Sequence, residues 1–451
     1  MNNLFSAFKP NLIAVSFLTL SFVFIFTYKS LAQETVIADT VITGDPVYKS
    51  TTAGEFTPGK GFTVVKSGLG SLNISVYGLA RYVNQIDDDE KFVDHLGRVR
   101  PVDGRQDISW HRAMIWVSGH FFTPKLRYTI TAWGLASTNQ TLVFGNIQYA
   151  LMKEMRFGIG IAPNLGSRSM QGPWPYFLSS DRVLAEEFFR PGFTNGVWMM
   201  GEVLPNFYYN FMLGNNLSIL GTTVSQLTRD LSTSASIWWM PTTGEFGPRG
   251  GYGDFEMHEE VATRFGASFT HMREDRQTPD NVSSPNETQI KLSDGLLFFE
   301  TGALADGVTV RKTNFDLLAI DVGVKHKGWH LQVEYYFRNL SKFEAFGPAP
   351  YEPVSLSTSS IYDHGFYASA SYEAIPKALQ VYASTTHIFD QFKMNPWEVV
   401  GGASYYPSGT RSWRINLNVI YVDKSSASSS FGFYTSGLKG MSLSTGIDLL
   451  I

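Results

Sequence analysis

Residues 329–338 read Trp329-His330-Leu331-Gln332-Val333-Glu334-Tyr335-Tyr336-Phe337-Arg338. In an extended chain successive side chains point to opposite faces. Trp329, Leu331, Val333, Tyr335 and Phe337 therefore share one face, and His330, Gln332, Glu334, Tyr336 and Arg338 the other. Strands of soluble sandwiches run to about five or six residues. An alternation of about ten is the length a tilted strand needs to cross a bilayer. Trp329 and Phe337 stand eight apart on the apolar face, as do Trp397 and Tyr405, and Trp413 and Tyr421. Eight residues at about 3.3 Å each, tilted by about 40°, rise roughly 20 Å. That approaches the apolar band of about 25 Å that aromatic girdles bound in membrane barrels.

The same period recurs along the chain. Leu72, Ile74, Val76, Ala80 and Tyr82 oppose Asn73, Ser75, Tyr77 and Arg81. Leu126, Tyr128, Ile130 and Ala132 oppose Arg127, Thr129, Thr131 and Trp133. Trp413, Ile415, Leu417, Val419 and Tyr421 oppose Arg414, Asn416 and Asn418. Sixteen strands are expected, centred near 77, 115, 130, 147, 158, 198, 210, 237, 267, 320, 333, 368, 383, 402, 417 and 446. The fold class is all-β, a transmembrane antiparallel β-barrel of about sixteen strands. Short links at 123–125, 327–328 and 407–411 alternate with long ones at 84–105, 163–191, 274–311, 339–362 and 424–438. This is the pattern of periplasmic turns and outer loops. The link 241–260 is the exception, long where a periplasmic turn is expected.

Lys9 precedes an apolar run from Leu12 to Phe26, and Ser30-Leu31-Ala32 follows. Residues 1–32 are expected to be a cleaved signal peptide, 33–65 a periplasmic lead-in, and 66–451 the barrel. No second helix-length apolar stretch occurs, and backbone groups in lipid must all be paired, so only a closed barrel can cross. Charged residues make up 17% of the chain and aromatic residues 14%, a mix that suits strands. The formal net charge of −4 shows no basic surface for nucleic acid. Cysteine is absent, which excludes disulfides and thiol chemistry. His258-Glu259 begins like a zinc-protease motif, but Ala262 stands where the second histidine belongs. No enzyme activity, catalytic residue, metal or cofactor is expected.

Parity places Arg81, Arg112, Arg127, Arg156, Arg264, Lys325, Arg338 and Arg414 on the inner face as pore-lining residues. The inner acids are Asp321, Glu334, Glu398 and Asp448. An excess of fixed cations in a narrow pore favours anions. Equally, these arginines can pair with acids of an inward-folded loop and hold it. The segment 163–191 is the natural constriction loop and carries Arg168, Trp174, Asp181, Arg182, Glu186, Glu187 and Arg190. A loop of such length is usually functional or disordered.

Several stretches resemble the phosphate-selective porin family (O and P type) and its relatives. They are Gly61-Phe62-Thr63-Val64-Val65 through Ser75-Val76-Tyr77-Gly78, His111-Arg112-Ala113, Gly247-Pro248-Arg249-Gly250-Gly251-Tyr252-Gly253-Asp254-Phe255-Glu256, Gly328-Trp329 to Tyr336, and His364-Gly365-Phe366 to Lys377. The resemblance covers residues 60–451 loosely. It implies a sixteen-stranded homotrimer in the outer membrane, with Arg112 on the pore wall and 163–191 as the constriction. The chain lacks the family's dense basic ladder and ends in Ile451 rather than Phe. The expected function is an outer-membrane porin, a water-filled channel for passive diffusion of small hydrophilic solutes with some preference for anions such as phosphate or carboxylates. The alternatives are a substrate-specific or plugged barrel, or a barrel hydrolase. Expected partners are outer-membrane lipid, lipopolysaccharide and the solutes themselves.

Overall fold

A computed structural model describes residues 57–135, 140–215, 217, 230–283, 290–427 and 432–451. The expected signal peptide and most of the lead-in lie outside them. Sixteen antiparallel strands form a closed ring. They are β1 (Gly70–Asp87), β2 (Gln106–Phe121), β3 (Leu126–Leu135), β4 (Gln140–Met152), β5 (Met155–Pro163), β6 (Phe193–Leu204), β7 (Phe207–Gly214) and β8 (Ser232–Trp239), followed by β9 (Ala262–Asp275), β10 (Thr309–His326), β11 (Trp329–Phe346), β12 (Ser360–Ile375), β13 (Leu379–Asp390), β14 (Trp397–Tyr405), β15 (Trp413–Asp423) and β16 (Gly440–Leu450). Each pairs with the next, and β1 pairs with β16 from Tyr77↔Leu450 to Asp87↔Gly440, so no edge is left open. All sixteen expected centres fall inside these strands.

Strand β11 shows which way the sheet faces. Trp329 and Leu331 are 59% and 50% exposed, whereas Gln332, Tyr336 and Arg338 are completely buried. The apolar face is the outer one and the polar face is enclosed, the reverse of a soluble sandwich. Val76, Ile115, Ile237, Ile320, Val399 and Leu417 lie on the same outer surface. Aromatic residues bound it at both ends. Trp329 packs on Tyr372 at the periplasmic end (4.5 Å between rings), and Trp397 on Tyr421 at the other (5.6 Å). Such a surface belongs in a bilayer, where it meets acyl chains. Val333 lies midway between the two girdles and pairs with Val322. The Val333→Arg variant is expected to lose about 2–4 kcal/mol of stability, measured by equilibrium unfolding from lipid.

Two stretches expected as connecting segments contain strand. Towards the end of the expected lead-in, Phe62–Ser67 is a strand paired with the start of β1. Its β-branched residues favour that pairing, and a bulge between Thr63 and Val65 adjusts its register. The expected outer loop 339–362 is mostly strand on one side, since β11 continues to Phe346. Above the bilayer the outer face of a strand has no lipid to meet. Alternation therefore fades through Asn339 and Ser341 while the backbone ladder with β10 persists.

Candidate functional site: a lumen closed from both mouths

The strand order makes residues 164–192, between β5 and β6, the third outer loop. This loop turns into the barrel. It contains a 3-10 turn at Arg168–Gln171 and a short helix at Leu184–Phe189, every residue of which is buried. Its apolar side chains explain the choice. Trp174 sits 4.6 Å from the ring of Tyr77 and 6.1 Å from that of Trp116, and Phe189 stacks on Tyr336 at 4.9 Å. Met170, Trp174, Phe188 and Phe189 are at most 1% exposed, and burying such side chains is worth about 1.5–3 kcal/mol each.

A loop in a dry interior must still pair its backbone N–H and C=O groups. The charged wall does this. Arg414 donates to the Phe177 carbonyl at 2.6 Å, Asn416 to that of Leu178 at 3.2 Å and Arg338 to that of Phe188 at 3.4 Å. The wall acids accept the complementary groups. Glu334 takes the Arg168 N–H at 2.7 Å, and Glu398 takes the first N–H of the helix, Leu184, at 2.6 Å.

Side chains complete the attachment. Asp181 is fully enclosed and receives Arg112 at 3.1 Å and Arg81 at 3.4 Å, with His111 at 3.8 Å. Burial alone would raise the Asp181 carboxyl, but Arg112, His111 and Arg81 together hold it well below the usual carboxylate range. His111 and Arg112 both reach inward because the ladder slips between Leu79↔Arg112 and Ala80↔Trp110. Arg264 bonds Asp321 and reaches Gln171 at 3.0 Å, and Arg168 lies 3.7 Å from Asp321. Arg338 pairs with Asp363 at 2.5 Å and Arg414 with Asp448 at 2.6 Å. Within the loop, Arg182 donates to Ser169 at 3.1 Å and lies over the Phe177 ring, and Arg190 pairs with Glu187 at 3.3 Å. Arg127 and Arg156 lie at the periplasmic ends of β3 and β5. Arg127 is half-buried and bonds the Pro124 carbonyl at the periplasmic turn, and Arg156 is half-buried one residue into β5.

The anomalous link between β8 and β9 is a second inward segment, entering from the periplasmic mouth. Lys325 donates to the carbonyls of Phe246 (2.8 Å) and Gly251 (2.7 Å), Arg168 to that of Gly250, and Arg411 to that of Tyr252 (3.0 Å). Gly251 is required by close approach, since a Cβ there would lie 2.6 Å from that of Tyr176. The two segments interlock. Tyr252 N–H donates to Tyr176 O at 2.8 Å and Arg249 to Trp174 O at 3.1 Å, while the Tyr252 hydroxyl meets Glu186 at 3.0 Å and the Tyr367 hydroxyl at 2.8 Å. Lys325, expected by parity on the pore wall, anchors this segment from the wall.

His258 braces the base of this segment between Asp254 and Glu245, the latter at 2.6 Å. Burial and Lys325 oppose its charge, but the two carboxylates win and raise it to about 9. A histidine raised in the folded state contributes stability that is complete below its unfolded value of about 6.5. That stability is lost as pH rises through about 9. The thermal midpoint of the folded barrel is expected to fall between pH 7 and 10, and the fall to be smaller in His258→Gln.

Outer loops cover the other mouth. A hairpin of Lys91–Val93 with Val99–Pro101 is tied to the loop before β10 by His95 on Asp294 at 2.6 Å and Arg100 on Glu300 at 3.2 Å. Between the two inward segments and the wall lies a small cleft of about 20 Å³, bordered by Phe177, Asp181, Glu186, Tyr252, Tyr367 and Tyr382.

Solved structures share this architecture. An anion-selective porin from Comamonas acidovorans is similar over 84% of this chain and 100% of its own, at 9% identity and a TM-score of 0.50. The outer-membrane channel DcaP of Acinetobacter baumannii is similar over 87% and 99%, at 8% identity and a TM-score of 0.50. The fold is that of bacterial outer-membrane porins. No protein-family model matches the sequence, and no curated protein matches it. A closed sixteen-stranded barrel with an apolar outer band places the chain in the bacterial outer membrane.

Proposed function

We propose that the protein is a passive outer-membrane channel for small hydrophilic solutes, kept narrow by two segments that enter from opposite mouths. The observation that carries this reading is the attachment of loop 164–192 to the wall through Asp181, Arg81 and Arg112. The inward arginines spend their charge on the plug, so anion preference is weak and phosphate selectivity is not part of the proposal. The same closure favours restricted, substrate-selective passage over a wide open pore. Trimer formation remains part of the proposal and is checked by cross-linking in detergent.

The test is single-channel recording across a planar bilayer under a KCl gradient, with wild type and Arg127→Ala. Arg127 lies at the periplasmic end of β3, where it bonds the Pro124 carbonyl. Small stepwise conductance, with a slight anion preference that moves towards zero in the variant, is the expected outcome. Folded protein that shows neither conductance nor swelling of solute-loaded liposomes would overturn the channel reading.

A further inference from the structure

One side of the barrel grips the third outer loop. Wall groups on β9, β10, β11, β14 and β15, and beyond the seam on β1 and β2, pair with it. From β8 round to β16 inward side chains are buried strand after strand, as at Ser236 on β8, Ser369 on β12, Asn418 on β15 and Ser444 on β16. Strands β3, β4 and β5 differ. Leu142 and Phe144 are half-buried in the outer half of the wall, and Thr129, Arg127, Gln148 and Arg156 in the periplasmic half. The ladder sets Leu142 opposite Trp133, Phe144 opposite Thr131 and Gln148 opposite Arg127, all on the inner face. Side chains that point into a barrel and still meet solvent mark the part of the lumen that is not filled.

The loop marks both edges of this strip. On one side its Trp174 covers Trp116 of β2, which pairs with Thr131. On the other its Leu165 packs in a buried cluster with Trp198 and Met200 of β6. Between the half-buried outer and periplasmic positions lies a waist, where Thr131, Trp133 and Asn146 are at most 6% exposed. The Trp133 ring stands edge-on to Phe144 at 6.4 Å and to Phe193 at 6.3 Å, an arrangement that holds an aromatic ring in place. The side chains at this level are an alcohol, an indole, an amide and two phenyl rings. They offer hydrogen bonds without fixed charge, so a bare ion gains little there for the water it gives up. We infer that solutes pass along the inner face of β3 and β4, beside the third outer loop, and that Trp133 sets the narrowest point of that path. The inference rests on the channel reading and names the residues that control passage.

Thiol labelling during single-channel recording tests it on the full chain. The native sequence has no cysteine, so a methanethiosulfonate bearing a trimethylammonium group should leave wild type unchanged. A thiol reacts where water and reagent reach it. Conductance of Thr129→Cys and of Leu142→Cys, below and above the waist, is expected to drop on labelling. Ser444→Cys, on the buried face of β16, is expected to keep its conductance. Trp133→Ala widens the waist and should raise conductance several-fold, and Trp133→Phe should raise it less. Heat-modifiable gel migration confirms that each variant is folded, and the cysteine variants decide the matter even if Trp133→Ala does not fold. Conductance insensitive to labelling at Thr129→Cys or Leu142→Cys, block at Ser444→Cys, or unchanged conductance in folded Trp133→Ala would each overturn the inference. Wild type that conducts while these variants behave otherwise sinks only this path, whereas wild type without conductance sinks the channel reading itself.

Discussion

The Asp181→Asn variant is expected to open the channel: single-channel conductance rises several-fold and the folded barrel loses stability. Asparagine keeps the shape of the side chain and removes its charge. Arg81 and Arg112 then face each other in a dry site without the carboxylate charge that both are buried against. Removing one partner of a buried ion pair costs about 3–5 kcal/mol, most of it the penalty for the charge left behind. Water can hydrate the two guanidiniums only if the loop lifts from the wall. Equilibrium unfolding and bilayer recording on the same preparation read the two effects. A variant that loses stability with unchanged conductance would show that the loop does not obstruct the path.

Arg338→Ala is the second large effect. Arg338 joins three elements: it pairs with Asp363 on β12, donates to Phe188 O of the third outer loop, and donates at 2.8 Å to Lys291 O of the loop before β10. Its guanidinium also lies 4.1 Å from the centre of the Phe188 ring. Truncation leaves the enclosed Asp363 carboxyl without its partner and two carbonyls without their donor, a loss of about 3–5 kcal/mol. Adding Asp363→Asn removes the stranded carboxyl and should recover part of that loss, as an unfolding double-mutant cycle would show. Additive losses from the two substitutions would mean that the pair is not coupled.

The barrel was legible in the sequence because lipid enforces period two. Each transmembrane strand must alternate to satisfy acyl chains outside and polar groups inside, so even the short strands at 207–214 and 232–239 leave a trace. Where lipid ends, the signal ends. Asp363, the first residue after the expected outer loop, was not among the expected inner acids; β12 begins at Ser360 and carries it on the enclosed face. His111 was missed because a bulge breaks the parity that marks Arg112. The sequence marked 164–192 by its length and its mixed charges, but not which charges meet. Asp181 finds Arg81 and Arg112 across 100 and 69 residues of separation respectively, a matter of closure that no local pattern contains. The periplasmic segment was visible as a turn too long for its place and as the glycine-rich stretch Gly247 to Glu256, with no sign that it enters the barrel. Its glycines, Tyr252 and the carbonyl partners of Lys325 and Arg411 acquire meaning only inside the ring.

The central claim is that the third outer loop obstructs the path by lying against the wall, and a reversible tether tests it most directly. A Cβ built at Gly446 on β16 lies 3.6 Å from the Cβ of Ser180, within the range for a disulfide. The native chain has no cysteine to interfere. Single-channel conductance of Ser180→Cys/Gly446→Cys carrying Asp181→Asn is recorded before and after dithiothreitol. The account predicts wild-type-like conductance while the disulfide is intact and a several-fold rise on reduction. Equal conductance in the two states, with the disulfide verified, would contradict it.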